Sequence, residues 1–399
     1  SVVYKDGAEY TMGAESSYEL FAVWIANRNE IVFEGNGATG GSMDSQFIAT
    51  DSSAALSSNA FEKAGYTFAG WATSTEGEAV YSDGAIFAMG AEQKYTLYAV
   101  WEATEYTIEY NLNNGSAEGN PSAYTVESAD IVLNSPARAG YRFIGWTGTG
   151  LSEPALSVTI QMGSTGNREY TAVWEANTNT IVFNANGGRG EMPAQGIKTD
   201  ETAPLAANAF TREGYTFVGW SEEPDGEVVY SDGANYAMGA ESEYTLYAVW
   251  RAVEYTISYT LNGGSVSGNA AGYTIESDTF RLENPVRAGY TFIGWTGTDL
   301  AEPTLAVTVV RGSTGNREYT ANWQANVNSV IFHANGGEGD MPAQEIQTDQ
   351  SAPLNTNTFA RAGYTFVGWS TSENGEVDYK DGETYIMGTQ TEYNLYAAW

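Results

Sequence analysis

The chain of 399 residues is 42% hydrophobic and sets 50 acidic side chains against 17 basic ones, for a formal charge of −33. Such a surface repels nucleic acid and anionic membranes and discourages the chain from sticking to itself. There is no cysteine, which excludes a disulfide framework and thiol chemistry, and no apolar run approaches the ~18 residues needed to span a bilayer.

The 45 Gly and 27 Tyr point to turns and strands. Tryptophan sets the organisation. It falls at 24, 71, 101, 146, 174, 220, 250, 295, 323, 369 and 399, in two interleaved series. One series follows Gly in phrases such as "GYTFAGW" and "GYTFVGW"; the other closes strand-like phrases such as "YTLYAVW" and "REYTAVW". Cutting after each closing Trp gives a partial unit, 1–24, and then units 25–101, 102–174, 175–250, 251–323 and 324–399. Units 25–101, 175–250 and 324–399 carry "YSDGA" or a near variant, and are termed type A. Units 102–174 and 251–323 carry "GWTGT" and "GSTGNREYT", and are termed type B. The stretch 1–24 reads as the C-terminal third of a type A unit. The start at Ser1 and the end at Trp399 both read as cuts in something longer, or as products of processing.

Unit 175–250 shows the elements in chain order. "TIVFNAN" alternates Ile181, Phe183 and Ala185 against Val182, Asn184 and Asn186, the period of a half-buried strand. "NGG" follows as a turn, because Asn and Gly tolerate positive φ. "YTFVGW" puts Tyr215 and Phe217 on one face and Val218 and Trp220 on the other, so this strand is expected inside the sheet or against a second layer. "EVVYSDGANYAMGAE" reads as a short strand, an Asp-Gly turn and a second extended piece. "YTLYAVW" closes the unit as a strand. No stretch has the 3.6 periodicity of a solid helix, although "SAPLNTNTFARAG" and its counterparts have room for one short helical turn. The expected unit is a small, mostly β domain of four or five strands.

Trp71, Trp101, Trp146, Trp174, Trp220, Trp250, Trp295, Trp323, Trp369 and Trp399 are the expected core anchors, because a core this small needs large residues. Gly65, Gly140, Gly214, Gly289 and Gly363 are expected to turn the chain into the "YTF" strand. Gly70, Gly145, Gly219, Gly294 and Gly368 are expected to leave room for a close backbone approach. The joints "EATE" and "RAVE" are short and lack a Gly/Ser or Pro run, so successive units should have limited freedom. Domains of this size are roughly 28 Å across, and five in line would reach ~140 Å.

Together, "NGG", "GYTFVGW" and "YTLYAVW" at fixed spacing resemble the Listeria–Bacteroides repeat, also called the internalin B-type repeat (InlB B-repeat), over the whole chain. The resemblance implies a β-grasp-like module, a sheet packed over a short helix or loop, used in tandem in long extracellular or cell-wall-attached adhesins. It carries no catalytic residues across. No leucine-rich segment or wall-binding module accompanies the repeats, so host-receptor binding does not follow.

Catalysis needs positioned acids, bases or nucleophiles, and no single place in this repeating chain stands out. The one histidine, His333, is expected as a solvent-facing strand residue. Asp6, Asp83, Asp232 and Asp381 beside a Gly lack the ligand spacing of a calcium loop and read as turn formers. Tyr81, Tyr98, Tyr230 and Tyr247 are candidate glycan platforms, though cross-strand packing is the plainer use. Lys63, Lys94 and Lys198 do not recur at equivalent positions, which argues against isopeptide crosslinks. Residues 1–24 suggest strand complementation, but closure between identical chains fails because Trp399 completes its unit. The reading is a non-enzymatic, extracellular stalk or spacer of a bacterial surface protein, an elongated rod of repeats without a cofactor, metal or nucleic acid. The alternative is an adhesive module, or a subunit of a polymeric filament, whose partners are a glycan, a protein or neighbouring copies of the repeat.

Overall fold

The computed structural model describes residues 4–399, so residues 1–3 of the partial repeat lie outside the described residues. These residues divide into two compact units: one runs to residue 179 and includes 197–201 and 238–242; the other comprises 180–196, 202–237 and 243–399. No helix occurs among the described residues.

Residues 25–101 illustrate the type A module. Its strands are β1 (Arg28–Glu34), β2 (Gln46–Ala49), β3 (Ser53–Ala55), β4 (Tyr66–Ala72), β5 (Ile86–Ala88) and β6 (Lys94–Ala103). The main sheet has the order β2-β1-β6-β4, and β3 pairs with β5 in a second, small sheet. The first and last strands are parallel neighbours, with Ile31 opposite Tyr95 and Phe33 opposite Leu97. β1 alternates in burial, with Asn29, Ile31 and Phe33 inward, as a half-buried strand must.

The type B module 102–174 repeats this plan with β7 (Tyr106–Asn111), β8 (Ala123–Tyr124), β9 (Ile131–Val132), β10 (Tyr141–Gly148), β11 (Thr159–Ile160) and β12 (Arg168–Ala176). Its order is β8-β7-β12-β10, with β9 against β11. Parallel pairing of the first and last strands recurs in the other modules, at Thr180–Asn184, Ile257–Thr260 and Ser329–His333.

The "YTFVGW" strand was expected inside the sheet or against a second layer; Tyr215–Ser221 lies at an edge of its main sheet, with Trp220 bridged to Tyr230 beyond it, whereas its counterpart Tyr290–Gly297 lies inside, with Leu300–Thr304 paired beyond it. The strand does not alternate as expected. The register slips between Phe68 and Gly70, and again between Phe217 and Gly219. This bulge inserts one extra residue, so Phe217 and Trp220 face the same side with rings 4.9 Å apart. Gly219 sits at φ +152°, and a Cβ there would lie 2.5 Å from the Tyr230 carbonyl oxygen.

The room for a helical turn in "SAPLNTNTFARAG" is filled otherwise. Ser351–Pro353 is a strand paired with Thr384–Ile386. After it the Asn357 carboxamide oxygen accepts from the Phe359 amide at 2.9 Å, while the Asn357 amide donates to Asp381 Oδ1 at 2.8 Å. Such side-chain bonds compete with helical ones. The equivalent aspartates Asp83 and Asp232 accept from Asn59 and Asn208 in the same way.

Trp71, Trp146, Trp220, Trp295 and Trp369 are each 0% exposed. Four buried clusters, around Trp71, Trp146, Trp295 and Trp369, are each confined to one module. Trp220 has its own shell of Phe183, Phe210 and Phe217. The closing tryptophans are half-buried and pack against these cores. Their indole N–H groups donate to a carbonyl just beyond the first strand, as Trp250 does to Ala185 at 2.9 Å. The central indole N–H groups have no hydrogen-bond partner. Leaving such a group unmet costs about 1–3 kcal/mol, so ring packing must more than offset it.

Residues 4–18 keep the ring ladder of a type A module: Tyr4–Tyr10 at 5.2 Å and Tyr10–Tyr18 at 5.5 Å match Tyr81–Phe87 at 5.2 Å and Phe87–Tyr95 at 5.4 Å. No strand forms there, and Trp24 is 89% exposed.

Candidate functional site: the joints between modules

The repeated polar feature of the molecule is the joint, and it is built from the "GY" corner. At residue 212 the chain turns, closed by the Tyr215 amide donating to the Arg212 carbonyl at 3.1 Å. Gly214 takes φ +74° in that turn, a conformation that costs a side chain roughly 1–2 kcal/mol. Its carbonyl accepts from the Val253 amide at 2.9 Å. The closing strand overruns its Trp, and Tyr215 and Thr216 pair with Ala252 and Arg251. The next module's first strand begins at Tyr255, so the joint is held by a sheet ladder and does not hang as a free linker.

The following module then inserts a turn into the corner. A Cβ on Gly214 would lie 2.6 Å from Ile275 Cδ1, and the Tyr215 hydroxyl donates to Glu276 Oε1 at 2.8 Å. The same pair recurs at each joint. Val126 covers Gly65 while Tyr66 donates to Glu127 at 2.9 Å. Thr199 covers Gly140 while Tyr141 donates to Asp200 at 2.7 Å. Thr348 covers Gly289 while Tyr290 donates to Asp349 at 2.7 Å. A cation lies over each of these tyrosine rings: Lys63 at 3.9 Å, Arg138 at 3.5 Å, Arg212 at 3.9 Å and Arg287 at 3.6 Å.

Where type B precedes type A the corner also contains a buried polar link. Asn179 is buried and donates from Nδ2 to Thr199 Oγ1 at 2.9 Å and to the Gly239 carbonyl at 2.8 Å. Asn328 does the same with Thr348 and Gly388. Thr199 passes the bond on to the Gly140 carbonyl at 2.8 Å. Breaking such a satisfied network leaves buried groups unmet.

The joint tyrosines are held above their ordinary value of 10.0, first by the hydrogen bond to the carboxylate. These bonds lie at the surface, where solvent screens them. A Tyr141→Phe/Tyr290→Phe double variant is therefore expected to melt within a few degrees of the parent, yet to show faster joint motion in NMR relaxation. A drop in melting temperature beyond about 8 °C would show the hydroxyls to be structural.

In the module cores Tyr110, Tyr236, Tyr259 and Tyr385 are pushed up to about 12, chiefly by burial. A folded value above the unfolded 10.0 means that their contribution is complete below pH 10 and is lost as pH climbs towards 12. Urea denaturation should accordingly show a falling midpoint across that window, in step with tyrosinate absorbance. A flat midpoint would contradict the burial of these rings.

The remaining chemical candidates fall apart in space. His333 lies on the outer face of its strand, opposite the core-facing Val330 and Phe332, but is only half-exposed there: it stacks on Tyr396 at 4.6 Å, with Nε2 2.7 Å from Asn394 Oδ1. It sits opposite Tyr396 in the parallel pair, which accounts for the stack. Tyr81, Tyr98, Tyr230 and Tyr247 are half-buried, and Tyr81 and Tyr230 are packed on Phe87 and Tyr236. Among the described residues no group of His, Asp and Glu is disposed to hold a metal ion, and no helix is long and apolar enough to cross a membrane.

The molecule is therefore a tandem array of small all-β modules whose recurring polar contacts join one repeat to the next. The Listeria-Bacteroides repeat domain matches residues 30–100, 180–249, 255–308 and 329–398, and the divergent InlB B-repeat domain matches 106–178. The chain belongs to the Listeria–Bacteroides repeat family, a repeat of bacterial surface proteins whose modules are typically structural, not enzymatic.

Two relatives from Evansella cellulosilytica are named provisionally as a membrane protein, 31% identical over 316 residues, and as a Gly-rich membrane protein, 29% identical over 380. The matches take in 76% and 91% of this chain but 45% and 41% of those proteins, so the chain spans less than half their length. Internalin H of Listeria monocytogenes is 32% identical over 121 residues, 29% of this chain and 20% of that protein.

Proposed function

We propose that this segment is an extracellular spacer of a bacterial surface protein, a non-enzymatic stalk that extends by one module length per repeat. The observation that carries it is the parallel pairing of first and last strands in every module. A chain entering at the start of one strand leaves at the far end of its parallel neighbour. It then passes into the next module after one or two residues, since β12 ends at Ala176 and the next strand starts at Thr178. The excess of acid keeps neighbouring copies apart.

Small-angle scattering on the whole chain tests the reading, with an expected maximum dimension of ~140 Å or more. A compact particle of half that length would overturn it. Ligand capture through Tyr81, Tyr98, Tyr230 and Tyr247 has less support, because none of these rings is fully exposed.

A further inference from the structure

The two type B modules differ at one arginine. In residues 251–323 the Arg317 side chain is 11% exposed. Its Nε donates to the Tyr273 hydroxyl at 3.0 Å, and its Nη1 donates to Asp299 Oδ2 at 2.9 Å. In residues 102–174 the half-buried Arg168 repeats the first contact, with Nε donating to the Tyr124 hydroxyl at 2.9 Å. That hydroxyl is itself fixed, because it donates to the Gly166 carbonyl at 2.6 Å from a residue only 4% exposed. The second contact has no equivalent. Where one module reads "GWTGTDLAEP" the other reads "GWTGTGLSEP", so Gly150 stands in the place of Asp299. The backbone is alike at both. The Thr149 and Thr298 amides donate to the Glu169 and Glu318 carbonyls at 3.0 Å, and φ is +77° at Gly150 and +60° at Asp299. Nothing lies within 4 Å of a Cβ built on Gly150, and among the described residues no carboxylate pairs with Arg168.

We infer that the space beside Gly150 and Arg168 binds a single carboxylate group brought from outside the module, in the position that Asp299 holds beside Arg317. The buried Tyr124 hydroxyl holds the guanidinium at Nε, so the planar fork is oriented before a ligand arrives. A fork set in this way matches the two oxygens of a carboxylate, and little ordering is left to oppose binding. The chain has 50 acids to 17 bases, yet none of the acids serves this arginine. The same acid excess repels a polyanion from a distance, which favours one carboxylate on an otherwise neutral body. An aspartate of a peptide and a sugar acid both present that chemistry. The inference gives the array a binding role outside the spacer reading and does not rest on it.

The test follows the Arg168 Nε–H resonance of the full chain while N-acetyl-aspartate N-methylamide, glucuronate and inorganic phosphate are added in separate titrations. Either carboxylate should shift that resonance to saturation, and the tighter of the two identifies the source as peptide or sugar acid. Phosphate should bind more weakly than both. Gly150→Asp supplies the carboxylate from within the module and should weaken binding by about tenfold or more. Asp299→Gly is the converse, and should open a second site seen as a saturable shift at Arg317. Each exchange installs the residue that the sister module already holds at positive φ, and the dispersion of the remaining resonances verifies the fold. No saturable shift with either carboxylate, or phosphate binding as tightly as they do, would overturn the assignment. So would binding that survives Gly150→Asp, or a folded Asp299→Gly chain without a response at Arg317.

Discussion

Replacing Trp220 by alanine will melt the middle type A module and leave the other four folded. The ring is 0% exposed and wedged among Phe183 at 4.9 Å, Phe217 at 4.9 Å and Phe210 at 6.2 Å. Truncating a buried Trp costs about 3–5 kcal/mol. A module of this size has only about 4–11 kcal/mol in total, at 0.05–0.15 per residue. Calorimetry should therefore split off a low-temperature transition holding roughly a fifth of the total enthalpy, since unfolding enthalpy scales with residue number. Trp250→Ala should shift the same transition less, because that ring is half-buried and much of its role is one bond to Ala185. If Trp220→Ala melts the whole array in one step, the cores are not separate.

The second large effect is expected at Gly219. Its φ of +152° is one that other residues rarely adopt, and a Cβ would press on the Tyr230 carbonyl and on Val228. Backbone strain of this kind costs about 1–3 kcal/mol. Relieving it pulls Trp220 away from the Tyr230 segment, to which it is bound at 2.7 and 3.1 Å, at about 0.5–1.5 kcal/mol for each bond. Gly219→Ala is thus expected to lose ~3 kcal/mol or more in urea denaturation. Gly233→Ala is the control: φ is +69° but nothing lies within 4 Å, so the loss should stay near 1–2 kcal/mol. Equal losses at both sites would show that crowding plays no part.

The two glycines also mark how far the sequence can be read. Period-two alternation in "TIVFNAN" and "YTLYAVW" gives strands because side-chain direction follows directly from it, and the sheet contains both. A glycine between two rings signals that something must come close. It does not signal an inserted residue, so alternation alone puts Phe217 and Trp220 on opposite faces, whereas the bulge puts them on one. The absence of a helical turn in "SAPLNTNTFARAG" depends on Asn357 and Asp381 bonding the backbone, and their 24-residue separation hides that from local propensity. Alternation puts His333 on the outer face, where it lies, but the Tyr396 ring that half-covers it is known only once the strand order is known.

The joints were legible only as short connections. The Tyr215–Glu276 bond links residues 61 apart, and Tyr141–Asp200 links residues 59 apart. A signal was present all the same. Every module has Tyr directly after the corner glycine, and each following module has an acid at one place: Glu127, Asp200, Glu276 or Asp349. Pairing the two requires knowing that the closing strand runs past its Trp to pair with Tyr215 and Thr216, which no periodicity announces.

Pulling the chain by its two ends tests most directly whether each repeat is a core of its own. In each module tension would load the parallel first and last strands in shear, so that several hydrogen bonds must break together. The force–extension trace should show repeated unfolding steps of similar height, up to five in number, each releasing on the order of 250 Å of chain for ~75 residues. A single large release spanning several modules, or a smooth rise without steps, would contradict separate cores held in series.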